Sequence, residues 1–121
     1  MIRLSKLEEQ IMDTIWDLGK AFPKVIVSKM SQPTPPYNTV LSAIRKLEKQ
    51  GHIGFEKYGK SHEYFPLLKK EDYTRSLFTK LFHELMESSP EKMVSYFSDS
   101  TQEELNKLQD AIENLKNKDH D

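Results

Sequence analysis

The sequence predicts a mainly α fold, in which three helices and a β-hairpin wing form a winged helix-turn-helix, followed by a helical C-terminal dimerisation region. Apolar residues recur at helical spacing in three segments before residue 50. Two alternating runs then flank a Gly-Lys pair, and helical spacing resumes beyond residue 70. We therefore predict two domains, residues 1–70 and residues 71–121.

The first two helices have clear start and stop signals. Ser5 and Glu8 have the spacing of a capping box, and Gly19 is a typical helix stop. Pro23 suits the first turn of a second, short helix. The proline-rich residues 31–36 end that helix, because proline cannot continue the helical hydrogen-bond ladder.

A third helix is predicted from about Tyr37 to just before Gly51. Val40, Ile44 and Leu47 recur at helical spacing and predict the face that packs on the other two helices. The opposite edge is polar and basic, and it carries Asn38, Thr39, Ser42, Arg45, Lys46 and Lys49.

Two short runs of alternating apolar and polar residues predict the strands of the wing. The first run has apolar residues at positions 53 and 55, and the second at positions 65 and 67. Gly59-Lys60 between them is typical of a hairpin turn. Lys57 and Lys60 add positive charge to this wing.

The C-terminal region is predicted to form helices with apolar stripes. Ser88-Ser89-Pro90 interrupts the first of them, and Ser100 with Glu103 has capping-box spacing. Only 36% of the chain is hydrophobic, so we expect a second copy to cover these stripes. The alternative is that the helices pack back on their own winged helix. The predicted dimerisation residues are Tyr73, Leu77, Leu81, Leu85, Leu105, Leu108, Ile112 and Leu115.

Charge is divided between the two halves of the chain. Residues 1–70 contain twelve Lys and Arg against seven Asp and Glu, a net charge of +5. Residues 71–121 contain six against twelve, a net charge of −6. This asymmetry indicates that the first half faces an anion.

A polar helix edge flanked by cations, followed by a basic hairpin, is typical of DNA binding. A helix fits the major groove, where amide and guanidinium groups read base edges and lysines contact phosphates. Two alternatives stay open within the site: Asn38 or Thr39 caps the helix, and Tyr37 packs in the core. The predicted DNA-binding residues are Tyr37, Asn38, Thr39, Ser42, Arg45, Lys46, Lys49, Lys57 and Lys60.

Three other interpretations compete with sequence-specific DNA binding. The constellation could be a solvated amphipathic helix with an ordinary hairpin, since polar outer faces are the default for surface helices. A winged helix also serves as a protein–protein interaction module, although such modules often lack a basic face. A third alternative is a non-specific architectural DNA binder.

Several classes of protein are not supported by the sequence. There is no cysteine, and the histidines at 52, 62, 83 and 120 lack metal-ligand spacing. We find no nucleophile motif and no phosphate-binding loop, so we predict no enzyme, no cofactor and no metal. No apolar run approaches the roughly 20 residues of a membrane span, and the N-terminus lacks a signal core. We expect a soluble cytoplasmic protein.

The segments LEEQIMDTIWDLGKA and PYNTVLSAIRKLEKQGHIGFEKYGKSHEYFPL resemble the BlaI/MecI family of bacterial transcriptional repressors, also called the penicillinase repressor family. The similarity runs from about residue 5 to residue 115. It implies a homodimer whose winged helices bind a palindromic operator. It also implies a recognition helix over residues 37–49, a wing over residues 52–67 and a dimerisation region over residues 73–115.

The resemblance extends to induction, with two departures. In relatives, an antibiotic-sensing membrane metalloprotease leads to cleavage of the repressor at an Asn-Phe bond. Tyr96-Phe97 occupies that position here, so it is the implied proteolytic site and the metalloprotease the implied partner, but the Asn is absent. A copper-responsive branch senses through C-terminal cysteines, which this chain lacks.

Overall fold

A computed structural model describes residues 2–119, without the side chains of residues 118 and 119. His120, one of the histidines considered above, therefore lies outside the described residues. Helices precede and follow a single hairpin, as the sequence predicts. The elements are α1 (Lys6–Leu18), α2 (Pro23–Ser28), α3 (Tyr37–Lys49), β1 (Ile53–Tyr58), β2 (Ser61–Pro66), α4 (Lys70–Ser88), α5 (Pro90–Ser95), a 3₁₀ helix (Tyr96–Asp99) and α6 (Gln102–Asp119).

The chain forms two compact units, residues 1–78 and residues 79–121. The first unit has the element order of a winged helix, so the predicted mainly α winged-helix fold is confirmed. The boundary between the units falls within α4, whose first turns belong to the first unit.

Local signals set the limits of α1 as predicted. The Ser5 hydroxyl accepts a hydrogen bond from the Glu8 amide, and the Glu8 carboxylate accepts one from the Ser5 amide. These two bonds satisfy amide groups that the first helical turn leaves without partners. Gly19 ends the helix at φ 83°, a left-handed conformation that costs glycine little.

The core of the first unit lies where α1, α2 and α3 meet. The predicted inner face of α3 is confirmed, since Val40, Ile44 and Leu47 are fully buried. Burying one such side chain contributes roughly 1.5–3 kcal/mol, so this face fixes the rotation of α3 about its axis. The other members of the core are Leu4, Ile11, Met12, Ile15, Ala21, Ile26, Ile53, Tyr64 and Tyr73.

The hairpin forms as predicted, but its second strand buries a different residue. Strands β1 and β2 pair antiparallel, with Phe55 opposite Tyr64. Tyr64 is buried, whereas Leu67, an apolar residue of the predicted run, lies beyond the end of β2 and is 55% exposed. The cause is a backbone bridge in which Ala21 and Tyr64 exchange two hydrogen bonds of 2.9 and 2.8 Å.

Tyr73 belongs to the core of the first unit, although the sequence grouped it with the dimerisation stripe. Its ring is 5% exposed and lies 5.8 Å from the ring of Trp16. The Tyr73 hydroxyl donates a 2.8 Å hydrogen bond to the Glu9 carboxylate. The apolar stripe of α4 that remains exposed therefore begins beyond Tyr73.

The second unit starts its helices at the predicted interruptions, with one correction. The Ser89 hydroxyl caps α5 by accepting a hydrogen bond from the Lys92 amide. The capping box of α6 uses Thr101 and Glu104, not Ser100 and Glu103 as predicted. Both pairs have the same spacing. Because α6 begins at Gln102, the residue before the helix is Thr101, and the capping box forms there.

The second unit has no buried side chain among residues 79–117. Its leucines at 81 and 115 are 55% and 63% exposed. Helices in proteins gain most of their stability from packing an apolar face, and the helices of this unit bury none of their side chains fully among residues 79–117.

The buried Tyr73 hydroxyl predicts a loss of stability at alkaline pH. Burial, and then the hydrogen bond to Glu9, raise the pKa of Tyr73 to about 12 from 10.0. The unfolded chain then releases this proton first, so the contribution is complete below pH 10 and is lost as the pH rises towards 12. Urea unfolding of the wild type and Tyr73→Phe should show a stability difference that is constant from pH 7 to 9. That difference should shrink between pH 10 and 12, and a difference that stays constant to pH 12 would contradict this assignment.

Candidate nucleic-acid interface

The outward surface of α3 consists of two neighbouring stripes. Asn38, Ser42 and Lys46 recur every four residues along the first stripe, and all three are exposed. The second stripe runs through Tyr37 and Arg45 and faces the hairpin. The burial of the inner face of α3 leaves both stripes on the surface of the unit.

The first turn of α3 leaves its polar side chains available. Pro36 occupies the position before the helix, and no side chain caps the helix. The capping alternative for Asn38 and Thr39 is therefore wrong, and both side chains are exposed. Amide and hydroxyl groups at an exposed helix tip have the chemistry that reads base edges in a major groove.

Tyr37 lies outside the core. Its side chain is 41% exposed and lines the side of α3 that faces the hairpin. The core alternative for Tyr37 is therefore wrong.

All five predicted cations on this surface are exposed, and none forms an ion pair within the described residues. By contrast, Glu63 on the hairpin lies 3.8 Å from the Lys20 ammonium group. Cations without a protein partner can bind phosphates without first breaking an ion pair. The five are Arg45, Lys46, Lys49, Lys57 and Lys60.

A cleft of about 830 Å³ lies between α3, the start of α2 and the hairpin. It brings together four of the predicted site residues, Tyr37, Arg45, Lys49 and Lys60. The other five predicted residues are exposed outside its lining. They are Asn38, Thr39, Ser42, Lys46 and Lys57.

Sequence reasoning missed several residues of the cleft, including Phe22, Lys24, Tyr58 and His62. The sequence did contain an indication for Lys24. A cation in the first turn of a helix opposes the helix dipole and costs stability, so its presence in the first turn of α2 suggests another role. Tyr58 and His62 flank the basic turn of the hairpin. His62 was considered only as a metal ligand, and its ring instead stacks on Phe55 at 4.3 Å.

Two tyrosines of the cleft, Tyr58 and Tyr64, have raised pKa values. The Tyr58 hydroxyl donates a 2.7 Å hydrogen bond to the Glu56 carboxylate, and this bond raises the pKa of Tyr58. Burial raises the pKa of Tyr64, and the nearby Glu48 carboxylate acts in the same direction. The cleft therefore combines phenol and cationic groups with one carboxylate, that of Glu48.

Two other kinds of site are missing from the described part of the chain. No group of three or more His, Asp or Glu residues could hold a metal ion there. Within residues 2–119, no helix has the length and apolar character needed to cross a membrane.

Comparisons with known proteins give one family match. The family described as "Penicillinase repressor" matches residues 4–114. No curated protein sequence matches the chain.

Two solved structures are similar to the chain. A solution structure of the DNA-binding domain of the repressor BlaI is 24% identical, with a TM-score of 0.53. The match covers 59% of this chain and 88% of that one, and it supports the fold. A CopR repressor structure is 29% identical over 56% of this chain and all of that one, with a TM-score of 0.47.

Proposed function

The chain belongs to the penicillinase repressor family, and we propose that it is a sequence-specific DNA-binding repressor that acts as a homodimer on a palindromic operator in the cytoplasm. The carrying observation is the exposed polar tip of α3, flanked by five cations that have no ion-pair partner among the described residues. The proposed activity is binding rather than catalysis. Repression would follow because the bound dimer blocks access of polymerase to the DNA.

The two stripes of α3 support a division of labour on the DNA. The stripe of Asn38, Ser42 and Lys46 is exposed outside the cleft lining and would enter the major groove, with Thr39 beside it. The cleft, with Lys49 and Lys60, would hold the sugar–phosphate backbone next to that groove, and Arg45, which also lines the cleft, would reach a guanine edge or a phosphate. Phosphate contacts would supply much of the affinity and make it depend steeply on salt.

A homodimer is proposed because the second unit has apolar helices without a core. The side chains of Leu81 on α4 and of Leu108 and Ile112 on α6 are 55%, 41% and 46% exposed, at positions where helical spacing gives each helix an apolar stripe. Exposed stripes of this length mark interaction sites, and a second copy has complementary stripes by symmetry. The proposed dimerisation residues of the second unit are Leu81, Leu85, Leu105, Leu108, Ile112 and Leu115, with Leu77 just before it.

Cleavage between Tyr96 and Phe97 is the proposed route of induction. These side chains are 57% and 37% exposed and lie in the short 3₁₀ helix between α5 and α6. A cut there would remove α6 and its share of the proposed dimer contacts. A membrane metalloprotease is the proposed partner, because the family resemblance implies one.

Footprinting of the full chain on the DNA upstream of its own gene tests the function. We expect a protected palindrome whose half-sites lie one helical turn, about 34–36 Å, or a multiple of it apart. Affinity should fall steeply between about 50 and 200 mM salt. The absence of a protected palindrome at moderate salt would contradict the proposal. Equal affinity for the operator and for a random duplex would favour a non-specific architectural DNA binder. Binding to a protein partner that does not depend on salt would favour a protein–protein interaction module.

Two substitutions separate base reading from phosphate binding. Arg45→Ala should weaken specific binding by about 1–3 kcal/mol if the guanidinium reads a base. Lys60→Ala should weaken binding to all sequences alike and reduce the slope of log affinity against log salt by about 1. Quantitative binding assays on operator and random duplex measure both effects. Lys92→Ala, an exposed lysine of the second unit, is the matched control, and wild-type behaviour of both test variants would show that the surface is misassigned.

A charge placed in the proposed dimer seam should separate the copies. Leu108→Glu should shift the chain from dimer to monomer in sedimentation equilibrium, because a carboxylate cannot be buried unpaired at low cost. Gln109→Glu adds the same charge at the next exposed position of α6 and should remain dimeric. A dimeric Leu108→Glu variant would indicate that α6 is not the interface.

The induction proposal predicts a defined fragment. Mass spectrometry of the repressor, recovered from cells before and after repression is lifted, should reveal a fragment that ends at Tyr96. Phe97→Ala, which removes the residue retained from the family pattern, should slow its appearance. Recovery of only intact chain from derepressed cells would count against proteolysis.

A further inference from the structure

One carboxylate lies among the cations of the cleft between α3, the start of α2 and the hairpin. Among the described residues that line this cleft, Glu48 is the only acidic one, and it is also the only acidic residue of α3. The cations that line the same cleft are Lys24, Arg45, Lys49 and Lys60. Glu48 therefore places a negative charge on a surface that we propose binds phosphates.

Glu48 continues the stripe of α3 that faces the hairpin. Tyr37, Leu41, Arg45 and Glu48 follow one another at helical spacing, and all four line the cleft. Arg45 and Glu48 are about 4.5 Å apart along the helix axis, which is less than the Debye length of about 8 Å at physiological salt. Burial raises the pKa of Tyr64, Glu48 adds to this rise and Arg45 opposes it, so both charges act at the Tyr64 hydroxyl. A phosphate bound at Arg45 would therefore lie within range of the Glu48 charge.

The stability of the fold does not account for this carboxylate. The Glu48 side chain is half-buried, yet it forms neither a hydrogen bond nor an ion pair within the described residues. It lies in the last turn of α3, which ends at Lys49, and a negative charge near a helix C-terminus opposes the helix dipole. The carboxylate thus pairs with no neighbouring cation and destabilises its own helix, so its contribution concerns what the cleft binds.

We propose that Glu48 is a specificity-determining residue, whose carboxylate repels DNA phosphates that enter the cleft in any register other than that of the operator. The inference rests on the proposed sequence-specific binding of an operator. Non-specific complexes depend on phosphate contacts, so they gain from every cation that a phosphate reaches. In the operator complex, base contacts at the tip of α3 fix the register and hold the phosphates clear of Glu48. A charge that penalises incorrect complexes more than the correct one raises specificity without adding a contact.

A glutamate in a DNA interface can instead read a base, because its carboxylate accepts a hydrogen bond from the amino group of cytosine. The position of Glu48 favours repulsion. It lies about 16 Å along the helix axis from Tyr37, whereas the N-terminal residues of a recognition helix reach the base edges. The two roles predict opposite effects of removing the charge. Loss of a repulsive charge tightens binding to random duplex, whereas loss of a base contact weakens binding to the operator.

The test measures dissociation constants of the full chain for the operator and for a random duplex between about 50 and 200 mM salt. Glu48→Gln removes the charge and keeps the shape of the side chain. It should tighten binding to random duplex by about fivefold, the factor for loss of one like-charge contact at about 4 Å in water, and should change operator binding by less than about twofold. The gain on random duplex should shrink as salt rises, because salt screens the repulsion.

Two control variants separate the charge at this site from side-chain shape and from net charge. Glu48→Asp keeps a carboxylate and should keep most of the wild-type ratio between the two dissociation constants. Asp72→Asn removes one negative charge from the exposed first turn of α4, outside the cleft lining, and should leave the ratio unchanged. Circular dichroism of all three variants should match that of the wild type.

Three outcomes with Glu48→Gln would overturn the inference. Equal tightening on both duplexes would show a uniform electrostatic effect, weaker operator binding would show a base contact, and unchanged dissociation constants would show no role in binding. A wild-type chain that binds the operator no more tightly than random duplex would instead overturn the proposed function, and the inference with it.

Discussion

Burial of one face of α3 decides the orientation of the candidate interface. Val40, Ile44 and Leu47 are fully buried, and they occupy one side of the helix over its whole length. Rotating α3 would expose these side chains at a cost of roughly 1.5–3 kcal/mol each. The remaining surface of the helix has to face outward, and its amide, hydroxyl and cationic groups lie there. The interface is therefore a consequence of the core rather than an independent feature.

The cations on that surface are exposed and form no ion pair within the described residues. The carboxylate of Glu63 on the hairpin pairs with Lys20, which is not one of these cations. The acidic Glu56 of the hairpin is occupied by the Tyr58 hydroxyl instead of a lysine. The cations of α3 and the wing are thus left without ion pairs within the described residues, and an anion that bound them would break none.

The apolar side chains of helix α4 differ in burial between its first turns and its later turns. At Tyr73 it contributes a 5% exposed ring to the core of the first unit, while at Leu81 its apolar side chain is 55% exposed. The contrast accords with the composition, since 36% of the residues are hydrophobic and every buried hydrophobic side chain among the described residues lies in the first unit. The second copy that we propose would cover the later part of the helix.

Short-range patterns were sufficient to determine most elements from the sequence alone. The capping box at Ser5, the stop at Gly19, the inner face of α3 and the Gly59 turn each depend on residues a few positions apart. Periodicity and cap chemistry act at that range. The polar and basic character of the outer face of α3 was readable for the same reason.

Tertiary structure alone decided the features that join distant segments. Tyr64 is buried because Ala21 pairs with it, and the cleft includes Lys24 because α2, α3 and the hairpin converge there. The hydrogen bonds from Trp16 to Leu68 and from Tyr73 to Glu9 join residues more than fifty positions apart. No local pattern records such pairings, since they depend on how helices pack in three dimensions. The sequence also could not show that Thr101, rather than Ser100, caps α6. Both residues have a glutamate three positions later, and only the path of the backbone distinguishes them.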